Sequence, residues 1–357
     1  MTDTFAFARV SAFAALCAVA HWLVPVPASA QVSDRIQLSL DASEVEAVLT
    51  IVARRHAGER IGEPDWQRLF DSQPYRRLKR READVQRSFT DETFQQFVLS
   101  DHLQARAPDL RRTLDEWRSR DLQASARRVL RYLPPDARIH ATVYPVIKPH
   151  TNSFVYDVRG DPAIFLFLDP EQSSAKFENT VAHELHHIGF ASMAPQSDSI
   201  DTHLSGSVRV AVEWMSAFGE GFAMLAAAGG PDTHPHAVSP AEERARWDRE
   251  MANFNQHLRE LERFFVDVIE GRLGTQEEIR QGGLSFFGIQ GPWYTVGYRM
   301  AVMVERRYGR ETLIACMVDP PQLLARYNTA AAELNSKRRE RLALWSPILL
   351  QQVGVSR

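Results

Sequence analysis

The stretch Ala182-His183-Glu184-Leu185-His186-His187-Ile188 decides how the rest of this chain is read. His183 and His187 are four residues apart, and Glu184 stands beside the first. On an α-helix that spacing places both imidazoles on one face, roughly 40° apart around the axis. Two imidazoles so placed can bind one Zn²⁺, and the adjacent carboxylate can take a proton from water at the metal. Phe177, Val181, Leu185 and Ile188 project from the other side, so one face is expected to enter a core while the other lines a cleft. His186, three residues after His183, is an alternative to His187. The four-residue pair is preferred because it also places Glu184 as a base.

A catalytic zinc takes three protein ligands and leaves one position open, so a third ligand is expected downstream. Residues 208–228, VRVAVEWMSAFGEGFAMLAAA, read as one helix carrying Glu213 and Glu220 seven residues apart, on the same face. A carboxylate in so apolar a run needs a partner or a metal. Gly219 and Gly221 flank Glu220 and would let a ligand helix cross close to the active-site helix.

Together, the His183–His187 motif and Glu220-Gly221-Phe222-Ala223 resemble the gluzincin metallopeptidases over about residues 135–330. The gap from His187 to Glu220 is longer than in their aminopeptidase branch, with the excess placed at 191–207. The resemblance is therefore to loosely defined bacterial zinc-dependent peptidases, not to one characterised enzyme. It implies Zn²⁺ held by His183, His187 and Glu220, with Glu184 as general base and a peptide or protein as substrate. Glu213 then becomes a supporting residue or an alternative ligand. Similar peptidases carry a Tyr-x-x-Gly-Tyr segment where this chain has Tyr294-Thr295-Val296-Gly297-Tyr298, so Tyr294 and Tyr298 are the candidates for stabilising the oxyanion. His203 and His150 are weaker candidates, and Asp201 or Glu213 is expected to orient a ligand histidine through its second nitrogen. His234 and His236, in a proline-containing loop, are expected in solvent.

The fold expected is α+β and mostly helical: a small zincin-like sheet, the active-site helix, then a helical C-terminal subdomain. Residues 1–30 read as a secretory signal, with Arg9, an apolar run over 10–24 and an Ala28-Ser29-Ala30 cleavage site. That implies an exported bacterial protein, periplasmic or secreted, with no stable membrane span after cleavage. Residues 31–135 form an N-terminal helical region and 136–357 the zincin-like domain. In the first, Asp41 and Glu44 read as a capping pair, Thr90 as an N-cap, and Pro134-Pro135 as the end. Strand character follows at 139–147, 153–158 and 163–168, and an edge strand there is expected to pair with extended substrate. Helices are expected from Ser239 to about Glu270, ended by Gly271, from Pro292 to Tyr308, and after the Asp319 cap.

A formal charge of −3 gives no global case for nucleic acid. The clusters 76–81 and 337–341 read as solvated helix faces. Of the two cysteines, only Cys316 survives signal removal, as a buried apolar residue. Trp66, Trp117 and Trp247 are expected to anchor the core. Two other functions fit the same residues: a zinc-binding periplasmic protein without turnover, and a zinc hydrolase acting on a non-peptide envelope amide.

Overall fold

A four-stranded mixed sheet sits beside the helix that carries the histidines, in a chain otherwise built of helices. The computed structural model describes residues 34–193, 204, 206–337 and 341–355. The expected signal segment, most of the expected insertion at 191–207 and most of the 337–341 basic cluster lie outside the described residues. The strands are β1 (Ile36–Leu40), β2 (Ile139–Val146), β3 (Phe154–Tyr156) and β4 (Ala163–Phe167), in the order β1-β2-β4-β3. β1, β2 and β4 are parallel, and β3 closes one edge antiparallel to β4. β1 was not expected, although Ile36, Leu38 and Leu40 alternate with Gln37 and Ser39 as a half-buried strand should. Among the described residues, no helix is long and apolar enough to cross a membrane.

The N-terminal region supplies α1 (Ser43–His56), α2 (Glu63–Phe70), α3 (Gln73–Asp84), α4 (Asp91–Val98), α5 (Asp101–Arg118) and α6 (Leu122–Leu130). Thr90 caps α4 as expected, accepting from the Thr93 amide. α3 covers one face of the sheet, where Leu78 meets Tyr144, Val146, Ala163 and Phe165. Arg77 is consequently buried, bonded to Asp161 and lying over Tyr144, so the 76–81 cluster is not wholly a solvated face. The other sheet face, with Ile139, Val143 and Ile164, joins the main core.

The expected Asp41–Glu44 capping pair does not form. Asp41 accepts from Ser43 N, while Glu44 is fully buried and accepts from Ile147 N at 3.1 Å. The reason lies in the sheet. Odd-numbered amides of β2 point toward β1, as Ile139 N donates to Arg35 O. β1 ends at Leu40, so Ile147 has no strand partner on that side and Glu44 takes the place of one. Pro145 lies beyond the last β1 pairing, where a residue without an amide costs no ladder hydrogen bond between paired residues.

The C-terminal half contains α7 (Ser174–Ala191), α8 (Gly206–Met215), α9 (Gly219–Ala228), α10 (Ala241–Ala252), α11 (Phe254–Ile269), α12 (Gln276–Ser285), α13 (Pro292–Tyr308), α14 (Arg310–Val318), α15 (Pro320–Ser336) and α16 (Pro347–Gln352). The single helix expected over 208–228 is broken by a 3₁₀ turn at Ser216–Phe218. Ser216 Oγ takes the Glu213 carbonyl at 2.5 Å, and Phe218 packs edge-on to Trp293, 5.3 Å away. The tighter turn ends the seven-residue register, so Glu213 and Glu220 no longer share a face. The helix expected over 239–270 likewise breaks, at Asn253, and starts at Ala241 without a Ser239 cap. α13 and α15 begin as expected, at Pro292 and after the Asp319 cap. Trp66, Trp117, Trp247 and Cys316 are all buried.

α9 and α13 touch backbone to backbone. A Cβ on Gly221 would stand 2.0 Å from Tyr298 N and 2.2 Å from Gly297 C. A Cβ on Gly297 would stand 2.6 Å from Phe218 O. The close approach read from the glycines around Glu220 is therefore real, but it is made to α13 and by Gly221, while Gly219 faces open space. Gly221→Ala should lower stability by about 1–3 kcal/mol through overpacking, whereas Gly219→Ala should cost nothing; urea midpoints compare them. A second prediction concerns Glu44. Burial, opposed by the Ile147 amide and Lys148, pushes its carboxyl from 4.5 up to about 8. A raised carboxyl holds its proton in the folded state, so stability is full at low pH and falls as pH rises through 8. Between pH 5 and 8 the wild type should lose stability relative to Glu44→Gln, on the order of a few kcal/mol. An unchanged difference in urea midpoint between those pH values would refute this.

Candidate metal centre

α7 is positioned by its apolar side. Ser173 caps it, accepting from Lys176 N. Phe177, Val181, Leu185 and Ile188 are buried as expected, with Phe177 stacked 4.1 Å from Trp117. Gly189 leaves room for Leu133, which a Cβ would meet at 2.3 Å, so the helix seats deeply against the strand side of the core. At the far end Ser192 Oγ accepts from Arg138 N at 2.9 Å, tying the helix to the start of β2.

With that face buried, His183 and His187 turn to the opposite side and meet Glu220 from α9. His183 Nε2 lies 3.1 Å from His187 Nε2 and 3.2 Å from Glu220 Oε2, and His187 Nε2 lies 3.3 Å from the same oxygen. With metal–ligand bonds of about 2.0–2.1 Å, a tetrahedral zinc sets its donors roughly 3.3 Å apart. The three contacts thus form one triangular face of the right size, made of the two-His, one-Glu set found at hydrolytic zinc sites. Among the described residues this is the one group of His, Cys, Asp or Glu able to hold a metal. The side chains of His183, Glu220 and His187 are 14, 18 and 30% exposed, so the triangle is sunk but reachable by solvent.

The electrostatics follow from the crowding. Burial opposes ionisation of Glu220, but the two imidazoles and their hydrogen bonds outweigh it and hold the carboxyl far below its ordinary range. Burial also disfavours a His187 imidazolium, yet the Glu220 charge and hydrogen bond lift it to about 9. A divalent cation would take over the role of that proton.

His186 is excluded. It is turned into the core, and burial together with the neighbouring imidazoles holds it well below the ordinary imidazole range, so it is neutral. Glu213 is excluded as well: it is half-exposed and faces Arg209. The expected orienting partner for a ligand histidine is not found among the described residues, where His183 Nδ1 is buried without a hydrogen bond. Asp201 and His203 lie outside the described residues. His150 is exposed, its carbonyl taken by Lys148 Nζ.

The two tyrosines of α13 part company. Tyr294 is stacked on His183 with 6.2 Å between ring centroids and 16° between planes. Burial, the Glu220 charge and a hydrogen bond to Glu220 raise its phenol above the usual range, so it stays protonated and able to donate. Tyr298 sits one turn further on, edge-on to Trp247 at 5.3 Å, with its hydroxyl donating to Thr233 O at 3.4 Å. Glu184 is partly buried beside His183, and its charge acts on both His187 and Tyr294.

A polar group that the sequence did not suggest lies along the same helix. Lys176, seven residues before His183 and so on its face, bonds Ser239 Oγ at 2.9 Å and Glu243 Oε2 at 2.7 Å. His236 joins them through Ser239 Oγ at 2.9 Å. It is buried, not exposed as expected, because it packs 5.2 Å from Trp247. His234 is partly exposed and pairs with Asp248. Histidine and serine two to three residues apart in a loop are too common to have marked this cluster.

No curated protein and no solved structure matches the chain. A family model does, over residues 65–336, a span that takes in most of the N-terminal helices, strands β2 to β4 and the whole donor triangle. On that match the chain belongs to the family described as "Putative zinc dependent peptidase (DUF5700)".

Proposed function

We propose that this chain is a gluzincin-type zinc metallopeptidase in which His183, His187 and Glu220 hold the metal, Glu184 is the general base and Tyr294 stabilises the oxyanion. The observation that carries the reading is the donor triangle, with edges of 3.1–3.3 Å, next to a carboxylate on the same helix. Zinc, when bound, supplies Lewis acidity that polarises a carbonyl and acidifies water from about 15.7 to about 7. Glu184 takes the proton of the attacking water and passes it to the leaving amine. Tyr294, protonated and beside His183, donates a hydrogen bond to the developing oxyanion. Tyr298 orders the loop at Thr233.

The antiparallel edge strand β3 supports a peptide as substrate, since its free edge can pair with an extended backbone. Residues 136–357 carry all the named catalytic groups and form the catalytic unit, with β1 and the helices of 31–135 completing its sheet and core. Residues 1–30 direct export to the periplasm or medium.

Metal analysis of purified protein, residues 31–357, should find about one zinc per chain. His187→Ala and Glu220→Ala should each lose it, and Glu213→Ala should keep it. Zinc retained in Glu220→Ala would displace the proposed third ligand. Glu184→Gln should keep zinc while losing turnover by about 10²–10⁴-fold. For Tyr294→Phe, kcat on a peptide substrate should drop about 10²–10³-fold with KM nearly constant, and a rise in KM alone would make Tyr294 a binding residue. Bound zinc with no hydrolysis of any peptide would favour an inactive zinc-binding protein or a hydrolase of non-peptide amides.

A further inference from the structure

The end of α12 and the turn that leads to α13 expose apolar side chains. Ile289 is 73% exposed, the highest value for any large apolar side chain among the described residues, and Leu284 is 46% exposed. Phe287, in the same turn, is half-buried and stands edge-on to Tyr294 with 6.5 Å between centroids. Tyr294 in turn stacks on His183 at 6.2 Å. Two ring-to-ring steps therefore connect the turn to the first metal ligand. An extended peptide advances about 3.3 Å per residue, so a substrate whose carbonyl reaches the metal has side chains a few residues away that can reach Phe287, and Ile289 follows Phe287 by two residues in the same turn.

The turn is held rigidly in this form. Gly291 N donates to Phe287 O at 2.8 Å, Trp293 N to Phe286 O at 3.3 Å, and Trp293 Nε1 to Gly283 O at 2.8 Å. Gly291 has no room for a side chain, since a Cβ would stand 2.5 Å from Phe286 O. Gln290, a non-glycine residue, is fixed in the left-handed region at φ +67° and reaches the buried His236 ring at 3.0 Å. Non-glycine residues adopt that conformation when the surroundings impose it, and such positions gather at functional sites. Here the surroundings hold an unfavourable backbone and leave Ile289 in water, two residues from the Phe287 that faces Tyr294.

We propose that Phe287 and Ile289 form a specificity subsite that takes a large apolar side chain of the substrate peptide, close to the bond that is cut. This rests on the peptidase reading above and names its substrate class. Apolar contact discriminates by about 10–200-fold for a single methylene, so a preference of at least tenfold for a large apolar over a small polar side chain is expected.

The test uses two probes, acetyl-Gly-Gly-Phe-Gly-Gly-amide and acetyl-Gly-Gly-Ser-Gly-Gly-amide. Their binding to zinc-loaded protein carrying Glu184→Gln is measured by calorimetry, alone and combined with Ile289→Ser or Phe287→Ala. The Phe peptide should bind at least tenfold more tightly, and each added substitution should shrink the preference to threefold or less. Ile289 is exposed, so Ile289→Ser keeps the test sound if Phe287→Ala misfolds. Equal binding of the two peptides, or a preference untouched by Ile289→Ser, would overturn the proposal. Mass-spectrometric mapping of cuts made by the wild type in a degenerate peptide mixture separates this from the activity itself. Cleavage with no apolar preference keeps the peptidase and removes the subsite. Preferential binding with no cleavage keeps the subsite and removes the peptidase.

Discussion

The crossing of α9 and α13 at Gly221 and Gly297 is the contact on which the rest of the site depends. With no side chain between them, the two helices meet at backbone distance, where any Cβ would collide with main-chain atoms. Glu220 stands one residue before this contact and Tyr294 one turn before it on the partner helix. A single close approach therefore delivers a carboxylate and a phenol from separate helices to the same face of α7. Helices packed through ordinary side chains sit about 8–10 Å apart, and that separation would leave one of the two groups short of His183. The aromatic cluster of Phe218, Phe265, Trp293 and Trp345 fills the space beside the crossing and fixes its angle.

The donor triangle is costly to assemble in the absence of a cation. It brings two imidazoles and a carboxylate together in a mostly buried place, where a proton on His187 holds them and burial of the charges opposes it. The apolar anchoring of α7 by Phe177, Val181, Leu185 and Ile188 and the glycine crossing offset that cost. The site is thus built by packing on one side and by polar convergence on the other, an arrangement that suits a small, strongly charged ion. The left-handed Gln290 and the exposed Ile289 extend the same logic to the turn before α13, where local order is maintained at the expense of local comfort.

Much of this was legible before any coordinates. His183, Glu184 and His187 follow from spacing on one helix, because the period of an α-helix alone decides which residues share a face. The cap at Thr90, the Pro292 and Asp319 starts, and the strands at 139–146, 154–156 and 163–167 follow from equally local chemistry. The misreadings have one cause. Glu44 looked like a cap because caps are local, yet its carboxylate replaces a missing strand partner 103 residues away. Glu213 was expected to share a face with Glu220, but Phe218, seated among distant aromatics, accompanies a tighter intervening turn. His236 was expected in solvent and is buried on Trp247.

The sequence by itself determined that His183, Glu184 and His187 stand together on one helix, the α+β class and most helix starts, since each rests on bond geometry within a few residues. Tertiary structure decided which glutamate joins the histidines and which tyrosine faces them. Tyr294 and Tyr298 are indistinguishable along the chain, and only the direction from which α7 and α10 approach α13 sends one to His183 and the other to Trp247. Those choices depend on distances between segments far apart in the chain. Such distances are set by how side chains fill a shared core, which no local pattern encodes.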